Sequence, residues 1–336
     1  MSTSEPIRDR PDETRPYVLV GDVGGTNMRA ALVDREGKVL RRSQCPTEPE
    51  AGIEDAARRF AEILRDAGSE TSEGETGHEV VISSAGPLQP GSGVYNHPPN
   101  LTGWDGLSLK PGIERAMGCE VYVGHDATLA ALGETRYGEA AGAQNLVYVT
   151  VSTGVGGGII ANGRMVTGAN GHAGELGHIL VMPGGQSCNV GCNGCLEGMT
   201  SGTGIARAAR ARISGGADSA LLEMAGGDPE EITSRMVFEA AANGDAAANE
   251  VVDTVMEALS LGFATICNAL DPEALVVGGG VVHGLQAYWE ELGRRAGGYA
   301  LPHFDGEIPL HISGLGDDVS LIGAAALAFD HADGLW

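Results

Sequence analysis

Lysine is almost missing from this chain: of 336 residues only Lys38 and Lys110 are Lys, and the other basic residues are Arg. Against 21 basic residues stand 45 acidic ones, giving a formal charge of −24. A nucleic acid or an anionic membrane selects a basic face, so neither is expected as a partner. The skew fits two origins equally, a high-salt setting or an Arg-favouring codon bias with ordinary solubility charge. Long apolar runs are missing as well, and none approaches the roughly 18 residues that span a bilayer. The N-terminus has no charged-then-apolar segment ending in a cleavage site. A soluble, cytoplasmic protein is the expectation. Two nucleotide motifs do not occur either. The G-x-x-x-x-G-K-[ST] phosphate loop is not found, and Gly278-Gly279-Gly280 lacks the full G-x-G-x-x-G spacing of dinucleotide enzymes.

Glycine, by contrast, is abundant at 53 residues, without the G-X-Y period of collagen. The length allows two lobes of ordinary domain size and a sizeable core. Residues 1–16 are polar and Pro-containing and read as a disordered tail. Order is expected from Tyr17, where YVLVGDV forms a buried strand; a glycine turn, the strand MRAALVD and the strand KVLRRS follow. Residues 52–67 carry Ile53, Ala57, Phe60, Ile63 and Leu64 at helical spacing. HEVVISS and VYVGHD read as strands, and ATLAALGETRYG as a helix. The second half starts the same way. NLVYVTVST, the turn Gly154 to Gly158, GGIIA, the Asn162-Gly163 hairpin turn and RMV repeat the pattern of strand, glycine turn, strand, X-Gly turn, strand. Helices are expected over 201–213, 231–242, 245–269 and 320–331, and EALVVGGGVV is a strand entering a third glycine turn. The alternation implies mixed sheets flanked by helices. The irregular stretch 167–200 is too long for a simple connector and reads as functional.

Each glycine turn follows a hydrophobic strand. Glycine leaves backbone N–H groups open to an anion, and successive N–H groups form an anion-binding concavity. Many such turns only close hairpins, but three in one chain point to phosphate. The first carries Asp22 ahead and Thr26 and Asn27 behind, and an Asp there suits Mg²⁺, directly or through water. Of the six cysteines, Cys188, Cys192 and Cys195 fall within eight positions. That clustering favours a local metal site in a reducing compartment over a disulfide framework.

DVGGTNMRAALVD (22–34), VSTGVGGGI (151–159) and LVVGGGVV (275–282) resemble the first phosphate, second phosphate and adenosine motifs of the sugar kinase and actin superfamily. GHAGELGH (171–178), CNVGCNGCLE (188–197), NHPPNLTGW (96–104) and HDATLAALGE (125–134) narrow the resemblance to the ROK family (repressors, open reading frames, kinases), and within it to its glucokinases. It runs from about residue 17 to 330.

The resemblance implies an α/β, actin-like ATPase (ribonuclease H-like) fold of two lobes with a central cleft. The expected small N-terminal domain is 17–125, with helix 320–331 returning to it, and the large domain is 126–319. It implies transfer of the γ-phosphoryl group of ATP to a hexose, most plainly glucose. It makes Asp126 the general base, although an Asp at a helix start also commonly serves as an N-cap. The family has Asn before this Asp, where this chain has His125. Asn100, Glu175, His178 and Glu197 match sugar contacts, and Gly86 shapes the sugar-side loop. Gly24, Gly25, Thr26 and Asn27, with Asp22, match one phosphate side. Thr153 and Gly154 match the other, and Gly279 and Gly280 the adenosine turn.

Structural Zn²⁺ takes four tetrahedral N/S ligands. The family pattern C-x-C-G-x-x-G-C-x-E meets Val190 at its second Cys here, and Cys192 is expected to take that place beside His178, Cys188 and Cys195. The expected cofactors are ATP, catalytic Mg²⁺ and structural Zn²⁺, in a homodimer or homotetramer. Cys45, Cys119 and Cys267 are expected to have no role, and Arg29 to face solvent or pair with an acidic neighbour. Kinases for fructose, mannose, allose or N-acetylmannosamine, and use of polyphosphate, share the same residues. A sugar-responsive repressor of the family is disfavoured by the −24 charge and by the 16 residues that precede the first strand.

Overall fold

The computed structural model describes residues 15–69, 71 and 79–335, so the expected tail lies outside the described residues save for Arg15 and Pro16. The chain divides into two compact units. Unit 1 runs to Gly142 and takes in Met165–Ala173 and the segment from Asp317 onward; unit 2 holds Ala143–Arg164 and Gly174–Gly316.

The sheet of unit 1 is built from β1 (Tyr17–Val23), β2 (Asn27–Asp34), β3 (Val39–Pro46), β4 (Glu79–Ser84) and β7 (Glu120–His125), in the order β3-β2-β1-β4-β7. Two short strands, β5 (Leu88–Gln89) and β6 (Val94–Tyr95), pair separately. The first three strands form antiparallel hairpins, and β1, β4 and β7 run parallel. Helix α1 (Ile53–Ala67) covers one face, with Ile53, Ala57, Phe60, Ile63 and Leu64 all buried as their spacing requires. Phe60 has no exposure, and a Cβ on Gly21 would come within 2.3 Å of its ring. Burying that ring contributes about 2–3 kcal/mol, and only glycine beneath it allows the fit.

Helices α2 (Lys110–Met117) and α3 (Asp126–Tyr137) flank β7. The C-terminal helix (Val319–Ala332) returns to unit 1, where it packs along β1 and β4 and, most extensively, against α3. At that crossing Gly133 and Gly323 let the backbones touch, since a Cβ on Gly323 would lie 1.8 Å from the Leu129 carbonyl oxygen. This packing corrects the expected boundary at residue 125. Helix α3 is held by the C-terminal helix, so unit 1 continues through it to Gly142.

Unit 2 repeats the plan. Strands β8 (Leu146–Val151), β9 (Val155–Ala161), β10 (Arg164–Met165), β11 (Ala274–Gly278) and β12 (Leu310–Ile312) follow the order β10-β9-β8-β11-β12. Again β8 and β9 are antiparallel, and β11 runs parallel to both β8 and β12. Asn162 (φ 51°) and Gly163 (φ 73°) make the left-handed turn expected of that dipeptide. The internal repeat read from the glycine turns is therefore a repeat of whole sheets. Helices α4 (Leu196–Thr200), α5 (Gly202–Ser214), α6 (Leu221–Met224), α7 (Ser234–Ala242), α8 (Ala246–Leu270), α9 (Val282–Leu285) and α10 (Trp289–Tyr299) complete the unit. Asp245 caps α8 by accepting the Ala248 N–H at 2.9 Å, and a left-handed Asp271 before Pro272 ends it.

Candidate active site

In unit 1, β1 delivers the first glycine turn. The Gly24 N–H donates to the Asn27 carbonyl at 3.0 Å, and the buried Thr47 donates its hydroxyl to the Gly24 carbonyl at 2.7 Å. Thr26 and Asn27 are exposed at the tip. Asn100 sits directly against the turn, because a Cβ on Gly25 would lie 2.8 Å from its own Cβ. One loop thus brings a predicted sugar contact and a predicted phosphate contact together, and a glycine is required where they meet.

Asp22 is nearly buried. Its Oδ2 accepts two bonds from Arg29, at 2.7 Å from Nη2 and 3.1 Å from Nε, and its Oδ1 accepts the Ser320 hydroxyl at 3.0 Å. Burial opposes the charge on Arg29, but Asp22, and then Asp318 and Asp317, more than offset it and raise the guanidinium pKa. Of the two alternatives for Arg29, the acidic neighbour is the one observed. Its register opposite Asp22 across the β1–β2 hairpin carried the signal. Ser320, which lies 298 residues away in sequence, gave none.

Asp126 opens α3 as its first residue, while the N-cap position belongs to His125, in extended backbone and without a side-chain capping bond. An N-cap role for Asp126 is thereby set aside. Its Oδ1 accepts the N–H of Ala127 at 2.7 Å, and the side chain is 39% exposed. The helix N-terminus favours the ionised carboxylate there. His125 Nε2 lies 3.5 Å from the same Oδ1. The same ring edge lies close to Gly86, whose peptide to Pro87 is cis; a Cβ on Gly86 would be 2.7 Å from His125 Cδ2.

In unit 2, β8 leads to Thr153 and Gly154. Glu197, in the first turn of α4, reaches beneath this turn; its Oε2 accepts the Val155 N–H at 3.0 Å, and a Cβ on Gly154 would lie 2.7 Å from it. The third turn follows β11. Gly279 has φ 92°, and a Cβ there would strike the Val151 carbonyl at 2.4 Å, whereas Gly280 has open space on its Cβ side.

The irregular stretch 167–200 divides between the units. Past Gly174 it holds a Cys/His cluster, in which one ligand atom from each of His178, Cys188, Cys192 and Cys195 lies within 4.8 Å of every other. His178 turns Nδ1 toward the thiols, 3.3 Å from Cys192 Sγ and 3.8 Å from Cys188 Sγ, and Nε2 toward Glu175, 3.8 Å from its Oε2. The Cys188 N–H donates to the Cys192 carbonyl at 2.9 Å, closing a knuckle that leaves Val190 61% exposed at its tip. Cys192 thus brings a fourth donor atom to the cluster. Three thiols and one imidazole nitrogen in this proximity suit tetrahedral Zn²⁺. Burial raises the Cys188 thiol, but hydrogen bonds from the Cys192 thiol and from the backbone at Val190 and Cys192 bring it down to about 7. The bond to Cys188, with burial, pushes Cys192 up to about 12. A bound metal displaces such protons. Arg207 braces the loop through the Ser187 carbonyl and Asn189, a contact the motif did not announce. Cys45, Cys119 and Cys267 lie outside this cluster.

Among the described residues no helix is long and apolar enough to cross a membrane. Residues 19–331 match the family described as the ROK family. The chain is 33% identical to the glucokinase of Thermotoga maritima over 317 residues, which is 94% of this chain and 98% of that one. The ROK hexokinase of Thermus thermophilus superposes with a TM-score of 0.79 at 32% identity, covering 95% of this chain and 99% of that one. A ROK family glucokinase from Streptomyces griseus, solved with glucose and AMPPNP, gives a TM-score of 0.75 at 31% identity over 93% and 98% of the two chains.

Proposed function

The chain belongs to the ROK family, and from that premise we propose that it is an ATP-dependent sugar kinase that converts glucose to glucose 6-phosphate, on the actin-like ATPase fold. The observation that carries this reading is the match to glucokinases over nearly the whole chain.

Asp126 is the general base. Its half-exposed carboxylate accepts the proton of the sugar hydroxyl as that oxygen bonds to the γ-phosphorus and the bond to the ADP oxygen breaks. Asn100, Glu175, Glu197 and His178 orient the sugar. Each sugar hydroxyl both donates and accepts, so amides, carboxylates and an imidazole read hydroxyls in pairs, and leaving them unpaired is costly. Gly86 keeps the loop beside Asp126 close. Gly24 to Asn27, Thr153 and Gly154 present backbone N–H and hydroxyl donors to phosphate, and Gly279 and Gly280 admit adenosine. Mg²⁺ bound with ATP neutralises charge on the phosphates. Asp22 would hold it through water: Oδ2 is taken up by two bonds from Arg29, whereas Oδ1, which accepts one bond from Ser320, keeps a second lone pair. The Cys/His cluster holds Zn²⁺ structurally, and His178 then ties the metal loop to Glu175. The protein works in the cytoplasm as a homodimer or homotetramer.

A coupled assay with ATP over glucose, mannose, fructose, allose and N-acetylmannosamine, repeated with polyphosphate, tests the reading. The expected result is the highest kcat/KM with glucose and ATP. Preference for another sugar reassigns the substrate, and no phosphorylation of any sugar with either donor contradicts the kinase.

A further inference from the structure

We infer that His125 is a positioning residue for Asp126, one that makes the strength of the base depend on imidazole protonation. The inference rests on Asp126 being the base of the proposed kinase. Two contacts carry it. His125 Nε2 lies 3.5 Å from Asp126 Oδ1, and the same edge of the ring is held against Gly86, where a Cβ would approach Cδ2 to 2.7 Å and Nε2 to 3.3 Å. The side chain is only 18% exposed, so it is not free to swing into water. His125 also lines a small cavity within unit 1 with Pro90, Tyr122, Thr128, Met165 and Thr167. Tyr122 is the other titratable side chain in that lining, and burial, with Glu79, raises its pKa and keeps it neutral. Asp126 is therefore the carboxylate that this imidazole meets at the site.

The consequence follows from the charge. Imidazole changes charge within the physiological range, whereas carboxylates ordinarily titrate near pH 4. A neutral ring orients the carboxylate and leaves its basicity intact. A protonated ring stabilises the carboxylate and weakens it as a base. Phosphoryl transfer then slows where acid charges the ring, and sugar binding is little affected. Asparagine at 125 also presents an N–H donor, but it does not titrate.

The test is kcat and KM for glucose from pH 5.5 to 8.5 in the wild-type chain, His125→Asn, Gly86→Ala and Asp126→Asn. Wild-type kcat should fall several-fold toward pH 5.5 at nearly constant KM. His125→Asn should lose about threefold at pH 8 and show no such limb. In Gly86→Ala the added methyl displaces the ring, so its limb should be weakened too, with melting curves confirming that both variants fold. A limb in His125→Asn that superimposes on the wild type overturns the inference, as does a wild type with no limb. Full activity in Asp126→Asn would instead overturn the kinase reading on which the inference rests.

Discussion

Position 190 separates a chemical pattern from a spatial one. The family spacing puts a thiol there, and this chain has a valine that stands exposed at the tip of a knuckle. Cys192 reaches the cluster because the backbone bond from Cys188 N–H to Cys192 C=O bends the loop so that 188 and 192 face inward together, with their sulfurs 3.1 Å apart. Purified without chelator, the chain should carry one zinc, measured by elemental analysis. Cys192→Ser should lose most of it, and Val190→Ala should keep it. Retention of zinc by Cys192→Ser would show that Cys192 is not a ligand. The approach of Cys192 to the cluster was legible in the sequence because a cysteine with the right donor chemistry stands two positions past Val190. Arg29 was half legible, its partner lying across a seven-residue hairpin. Ser320, which completes the shell of Asp22, was not, since nothing in local pattern links residues 298 apart.

Elements with strong periodicity fell where hydrophobic spacing put them. Ile53 to Ala67 and Ala246 to Leu270 are examples, the second fixed at its ends by an Asp cap and a following proline. Besides three helices of four or five residues, two longer ones were missed. Lys110–Met117 opens with Pro111 and Gly112, and Trp289–Tyr299 contains three glycines, so propensity argued against both. Packing overrides it through buried Ile113 in one and buried Leu292 and Ala296 in the other, and Gly297 is needed because a Cβ there would lie 1.8 Å from the Gly306 carbonyl oxygen. The same logic governs the crossing of α3 and the C-terminal helix. Gly323→Ala should destabilise unit 1 by about 2 kcal/mol or more, read as a lower thermal midpoint. An unchanged midpoint would mean the two helices separate at little cost. Because α3 begins with Asp126, such a variant should also lose activity below its melting range.

At the scale of the whole chain, the duplicated sheet order was foreshadowed by two copies of one strand and glycine-turn pattern, and the unit boundary was not. Its placement at Gly142 depends on a helix that begins only at Val319. The 53 glycines, met first as an excess, now divide into physical roles. Some lie in the turns proposed to take phosphate and adenosine, as at Gly24 and Gly280, and some permit close packing, as at Gly21 and Gly323. Others hold left-handed loop positions, as at Gly194 and Gly279. The central claim is that these turns serve phosphoryl transfer driven by one carboxylate. The most direct measurement is kcat for glucose and Mg-ATP in Asp126→Asn, a nearly isosteric change at an exposed helix start. The account predicts a fall of about 10²–10⁴-fold with KM for ATP little altered. Turnover within a few-fold of the wild type would contradict it.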